Sequence, residues 1–257
     1  YISEQILVYG ENKFALRTLA DTYLRNGDEP SHYQTLERLT KVDFTDPETV
    51  RKLANHRESE ADIQGAVLYY KKALHRYINA RQLTQIKIVW KKLVELQPED
   101  LEGLLQIENK AVKVIGPERA ISLLESLYPY YREIEDWEPV VEILKRILLH
   151  DHRNSGARAE LVDVYKKRYE SHSHLEEYIK LSNITQAWRN VHDAIADFEK
   201  HINFDEGNFV FHNSWGLGRI KRIEGDRFTI DFLKKRGHEM SLKMAVNALT
   251  ILDKDHI

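Results

Sequence analysis

The chain has 257 residues with 38 Lys or Arg, 41 Asp or Glu, a formal net charge of −3 and no cysteine. Disulfides and thiolate–zinc sites are therefore excluded, no apolar run approaches the roughly eighteen residues of a membrane span, and the slight acidity argues against duplex DNA as a main ligand. The composition predicts a cytoplasmic, modular protein without a leader segment, and Tyr1 in place of an initiating Met suggests a piece of a longer chain.

Residues 1–200 read as helix with a fixed period. Ala20 and Ala54 stand 34 residues apart, the tetratricopeptide spacing, and each opens a similar apolar series. Leu19-Ala20 is followed by Tyr23, Gly27, Leu36 and Leu39, and Leu53-Ala54 by Ala61, Ala66, Tyr70 and Ala73. Farther along, Val140, Leu144 and Ile147 recur as His174, Tyr178 and Leu181 at the same step. Ala66 and Val140 are 74 residues apart, six more than two periods, so the central units must be irregular. They still carry apolar stripes at i, i+4, i+7, namely Ile86, Trp90 and Leu93, then Ala120, Leu124 and Leu127. Pro98 and Gly116-Pro117 punctuate them. The pattern predicts an α-solenoid of about five helix pairs, similar to tetratricopeptide arrays, presenting a groove to a protein or peptide. Residues 184–198 read as its last helix or a connector, with Trp188, Val191, Ala194, Ile195 and Phe198 buried.

At residue 207 the period changes from helical to alternating. Phe209-Val210-Phe211-His212 reads as a strand that enters a tight turn at Trp215-Gly216-Leu217-Gly218. Residues 219–223 and 227–232 form a hairpin about Glu224-Gly225-Asp226, with Phe228, Ile230 and Phe232 on one face. A turn at Lys234-Lys235-Arg236-Gly237 precedes a short run at 238–242, and residues 249–252 supply a closing strand. Five short strands in residues 201–257 predict a small, strongly bent antiparallel barrel of the SH3/Tudor-like kind.

Gly207, His212, Trp215, Gly216, Gly218, Phe232 and Leu249 fall where the Tudor-like module of bacterial RNA polymerase partners places such residues. The segment resembles modules at the carboxyl end of UvrD/PcrA-type helicases and, more distantly, in CarD and the transcription-repair coupling factor. Repeats followed by such a module are similar to the long amino-terminal extension of some bacterial Gre-type transcription factors. The acidic-tipped coiled coil of the Gre part is absent, so transcript cleavage is not expected of these residues. The resemblance implies docking on RNA polymerase through residues 201–257.

The residues nominate a surface for that role: Phe209, Phe211, Trp215, Arg219, Lys221 and Arg222. Strand alternation sends Val210 and His212 to the core and leaves Phe209 and Phe211 outside, where they form either a docking patch or the joint with the solenoid. Trp215 either fills the barrel or stands as an exposed anchor. A strand edge beside the basic strand would allow pairing by β-augmentation. From His201 onward there are nine basic and eight acidic residues, against 29 and 33 before it, and residues 219–243 alone hold eight basic and four acidic. That strip is a solvated rim, a footprint for an acidic protein, or less readily one for nucleic acid.

No catalytic signature is present. There is no Gly-rich phosphate loop, nucleophile elbow, helical His-Glu-x-x-His or cysteine nucleophile. His150/His152 and His172/His174 are spaced i, i+2, which points side chains apart on a helix, so neither metal nor other cofactor is expected. Three readings follow: a non-catalytic interaction part of a transcription elongation factor, a general repeat adaptor with the barrel as a cap, and an RNA-binding module.

Overall fold

The computed structural model describes residues 11–252, which hold twelve helices and five strands. The chain divides into two compact units, residues 1–130 and 131–257.

The first unit holds α1 (Lys13–Arg25), α2 (Glu29–Val42), α3 (Pro47–Ser59), α4 (Ile63–Asn79), α5 (Leu83–Leu96), α6 (Leu101–Ile115) and the larger part of α7 (Pro117–Glu133). Helix starts recur at the 34-residue step from α1 to α3 and from α2 to α4, then drift to 36 for α5 and 38 for α6. Short polar side chains start these helices by taking up their free N–H groups: Asn12, Asp28, Asp46, Asp62 and Asp100 each accept one or two. Ala20, Ala54, Ala66 and Ala73 are 0–1% exposed. Small residues at these contacts let neighbouring helices approach closely. The turns inside the first two pairs use a left-handed residue; Gly27 and Ala61 fill it 34 positions apart, at φ 73° and 60°.

Polar bonds tie the layers. Arg76 donates to the carbonyls of Thr40, Asp43 and Asp46 at 3.1, 2.7 and 2.8 Å, satisfying the carboxyl end of α2 and the loop after it. The buried Trp90 indole donates to Leu123 O (3.1 Å) and Ser126 Oγ (2.9 Å), locking α5 to α7. Pro129 lies inside α7, where it supplies no N–H.

The second unit holds α8 (Trp137–His150), α9 (Ser155–Arg168), α10 (Leu175–Ser182) and α11 (Val191–His201), then the strands. Here the expected 34-residue step fails: α8 and α10 start 38 residues apart. Val140, Leu144 and Ile147 are buried, as is Tyr178, but Leu181 is 39% exposed and His174 lies at the helix start. The helix expected over 184–198 also starts late. Asn183 ends α10 in the left-handed region, and Asn190 caps α11 by accepting from His192 N and Asp193 N. Trp188 falls in the intervening loop and is 73% exposed, contrary to expectation, whereas Val191, Ala194, Ile195 and Phe198 are buried.

The strands β1 (Phe209–His212), β2 (Gly216–Glu224), β3 (Arg227–Phe232), β4 (His238–Ser241) and β5 (Leu249–Leu252) form one antiparallel sheet in the order β4-β3-β2-β1-β5. The pairing links neighbours in that row and does not join β4 to β5. Between them stands α12 (Leu242–Ala248), unexpected from the sequence, which carries the chain from one sheet edge to the other. Ser241 starts it by accepting from Met244 N at 3.3 Å. The buried face of the sheet is Val210, Ile220, Ile223, Phe228, Ile230, Phe232, Met240 and Leu249. Gly218 lies on that face because the Phe232 ring packs on its backbone: a Cβ there would sit 2.5 Å from Phe232 Cδ1.

Candidate functional site

The outer face of the sheet gathers most of the nominated residues. In register, Phe209 stands opposite Arg219 and Phe211 opposite Leu217, and Arg219 in turn stands opposite Asp231. The Arg219 guanidinium lies 5.7 Å from the Phe209 ring centroid, covering it. Phe211 is 42% exposed, and Leu233 beyond it is 82% exposed. Lys221 lies 3.7 Å from Asp231, and Arg222 pairs with Glu224. Strict alternation would have sent Arg222 inward with Ile220. A register shift between Ile220 and Arg222 leaves Lys221 and Arg222 both exposed, while Ile223 returns to the core.

Trp215 does not join that face. It sits in the β1–β2 loop, neither buried as a core plug nor free as an anchor. Its ring stacks on His212 (centroids 3.9 Å apart, planes 20° apart) and meets His238 at 4.1 Å and Phe232 at 5.4 Å. The Lys235 ammonium lies 5.3 Å from its centroid. His212 Nδ1 also accepts from Ser214 N at 3.0 Å, which fixes the loop. Burial, then Lys235, then His212 hold the His238 pKa below its ordinary value.

The basic strand offers little free edge. β2 is paired to β3 over Gly218–Glu224 and to β1 over Gly216–Arg219, Ile220 exchanges bonds with Gly207 and Asn208, and Glu206 takes the Ile223 amide, so most of its backbone is already bonded. Side chains are the larger part of β2 that a partner can meet.

The joint between helices and sheet in this unit uses residues that strand alternation could not reveal. Phe204 meets Phe228 edge-on at 5.7 Å, and its carbonyl accepts from the buried Tyr178 hydroxyl at 2.9 Å. Glu206 Oε1 accepts from Ile223 N at 2.8 Å. His172, His174 and His201 surround Tyr178 with ring centroids 5.4–6.2 Å away. Phe209 and Phe211 take no part in these joint contacts. Among the described residues, no group of three or more His, Asp or Glu is placed to hold a metal ion.

In the first unit a groove of about 480 Å³ lies between α5 and the start of α7, lined by Leu83, Ile86, Ile88, Ile115, Lys87 and Arg119 among others. Ile88 is 47% exposed there. No helix among the described residues is long and apolar enough to cross a membrane.

No protein-family model matches the chain. Over all 257 residues it is 47% identical to a GreA-associated domains protein of Treponema pallidum, of which it spans 39%. It is 35% identical over the same length to the transcription elongation factor GreA of Borreliella burgdorferi, of which it spans 28%. Among solved structures, a crystal structure of MamA protein is 12% identical with a TM-score of 0.33, covering 75% of this chain and 94% of that one. A tetratricopeptide repeat protein from Parabacteroides merdae is 13% identical with a TM-score of 0.21, covering 73% and 91%. Scores of this size add nothing to the architecture read from the helix pairs themselves. The chain thus matches, from end to end, a stretch of about two fifths or less of the longer proteins it is similar to.

Proposed function

We propose that the chain is a non-catalytic, protein-binding part of a bacterial transcription elongation factor, acting in the cytoplasm. In this reading residues 201–257 are a Tudor-like module that docks on RNA polymerase, and the helical repeats of residues 1–200 hold another protein or peptide. The observation that carries it is the identity along the whole chain with two proteins named for GreA. The outer sheet face supports it by presenting an exposed Phe211 beside Arg219, Lys221 and Arg222, the aromatic and arginine types that anchor protein interfaces. Contact is mainly through side chains, because most of the β2 backbone is already bonded.

The test is retention of core RNA polymerase by the full chain, wild type against an Arg219→Glu/Arg222→Glu variant with unchanged circular dichroism. Both side chains are exposed on the sheet, the circular dichroism checks that the variant folds, and binding weakens by about 1–3 kcal/mol. Equal retention of the folded variant, or none by wild type at low salt, overturns the assignment. Trp215 is unsuited to this test because its ring packs on Phe232. A second reading, in which the sheet serves as a cap on the last helices, draws on the Tyr178–Phe204–Phe228 contacts, and that negative result would favour it.

A further inference from the structure

The groove between α5 and α7 lies ahead of a fixed point. Trp90 holds the second half of α5 on α7 through Leu123 O and Ser126 Oγ, and the groove is lined by the turns of both helices that lead up to this lock. Ile86, Ile115 and Leu123 form its floor and are 1–7% exposed, whereas Ile88 stands 47% exposed on the α5 side. The Ser122 hydroxyl donates to Arg119 O at 2.9 Å, so it is already bonded within its own helix and leaves the α7 wall largely apolar.

The rim above this floor carries charge of one dominant sign. Lys87 on α5 and Arg119 on α7 are both exposed, and neither forms an ion pair among the described residues. The carboxylate in the lining, Glu118, belongs to the first turn of α7, where it serves the free amides of its own helix. No such residue serves α5: its first turn holds no acid, and Gln82 makes no side-chain capping bond, unlike the Asn and Asp residues that start α1 to α4 and α6. The partial positive charge of that helix end adds to Lys87 and Arg119. A nucleic-acid strand finds no aromatic ring in this lining to stack on. A buried apolar floor under unpaired cations instead complements a polypeptide that offers an apolar side chain to the floor and carboxylates to the rim. Because the lock at Trp90 fixes both walls, binding needs little further ordering of the protein.

We propose that this groove receives a short segment of a protein partner in which a Leu, Ile or Phe is flanked by Asp or Glu. The inference rests on the reading of the repeats as a protein- or peptide-holding unit and names the chemistry of what they hold. The full chain is immobilised, a displayed library of random peptides is selected on it, and a selected peptide, fluorescein-labelled, is titrated with the full chain by anisotropy. The selection yields apolar residues flanked by acids, and affinity falls about tenfold in Ile88→Asp and likewise in Lys87→Glu/Arg119→Glu. Both variants alter exposed side chains and are checked for unchanged circular dichroism. The charge-reversed variant binds the same peptide again when Lys replaces its acids, a result that loss of folding cannot produce. An Arg219→Glu/Arg222→Glu variant on the sheet binds as wild type. Selected peptides without carboxylates, or undiminished binding by both groove variants, overturn the groove assignment and leave the repeats as a peptide-holding unit with its site elsewhere. Absence of any selected peptide overturns the groove assignment and the peptide-holding reading together, while the polymerase assignment stands on its own test. Self-association of the wild type in sedimentation that Lys87→Glu/Arg119→Glu abolishes assigns the groove to a second copy of the chain and likewise overturns the proposal.

Discussion

Gly218→Ala isolates the packing that organises the sheet. The added Cβ would lie 2.5 Å from Phe232 Cδ1, 2.8 Å from Cε1 and 3.1 Å from Ile230 Cγ2. The Phe232 ring cannot simply retreat, because it is 2% exposed and flanked by Trp215, His212 and His238 at 5.4–6.0 Å. Overpacking of this kind costs about 1–3 kcal/mol, and the smaller entropy of an unfolded Ala returns about 0.4–1 kcal/mol, leaving a net loss of about 1–2 kcal/mol. Hydrogen exchange at the Ile220 and Ile230 amides, which opening of the sheet exposes, should quicken about tenfold for each 1.4 kcal/mol, while amides of α1–α6 stay unchanged. Adding Phe232→Leu removes the colliding ring atoms, so the double variant should be more stable than the sum of the two single changes. Gly216→Ala is the control: it meets no atom within 4 Å and is strained only through its φ of 74°, so its effect should add to that of Phe232→Leu. Additivity for Gly218→Ala with Phe232→Leu, or unchanged exchange in Gly218→Ala alone, refutes the packing argument.

Tyr178→Phe keeps the ring but removes the donor to Phe204 O, so it should cost about 1–3 kcal/mol and speed proteolysis within residues 202–208 without touching the first unit. Ala61→Gly relieves a left-handed alanine at φ 60° and should raise the unfolding midpoint of the first unit by the equivalent of up to about 1 kcal/mol, since strain of about 1–2 kcal/mol is offset by glycine's greater unfolded freedom. Bonds from Tyr70 and then Lys92 hold the Glu58 carboxyl below its ordinary value of 4.5. A lowered folded-state pKa gives stability that is present above the unfolded value and lost as pH falls through the folded one, so the urea midpoint of the first unit should drop below about pH 4.5, and less steeply in Glu58→Gln.

The sequence by itself determined what depends on neighbours along the chain. Helix pairs follow from apolar spacing, and the 34-residue step of Ala20 and Ala54 reappears as the starts of α1 to α4, because each helix must bury one stripe and each turn needs the same few residues. The hairpin β2–β3 was legible in its alternation and its Gly-Asp turn. Local pattern misled where two readings were locally equal: the residues of α12 lie too close to the strands to show a period of their own, and Trp188 fits the stripe of α11 in spacing although Asn190 starts that helix two residues later. Tertiary structure alone decided the rest. The shift between Ile220 and Arg222 turned Arg222 outward, pairing on both sides closed the edge of β2 up to Arg219, and the meeting of two loops distant in sequence put Trp215 beside Lys235 and His238 rather than beside Phe209. These are consequences of strand register and of contacts between residues far apart in the chain, and hydrophobic period carries no information about either.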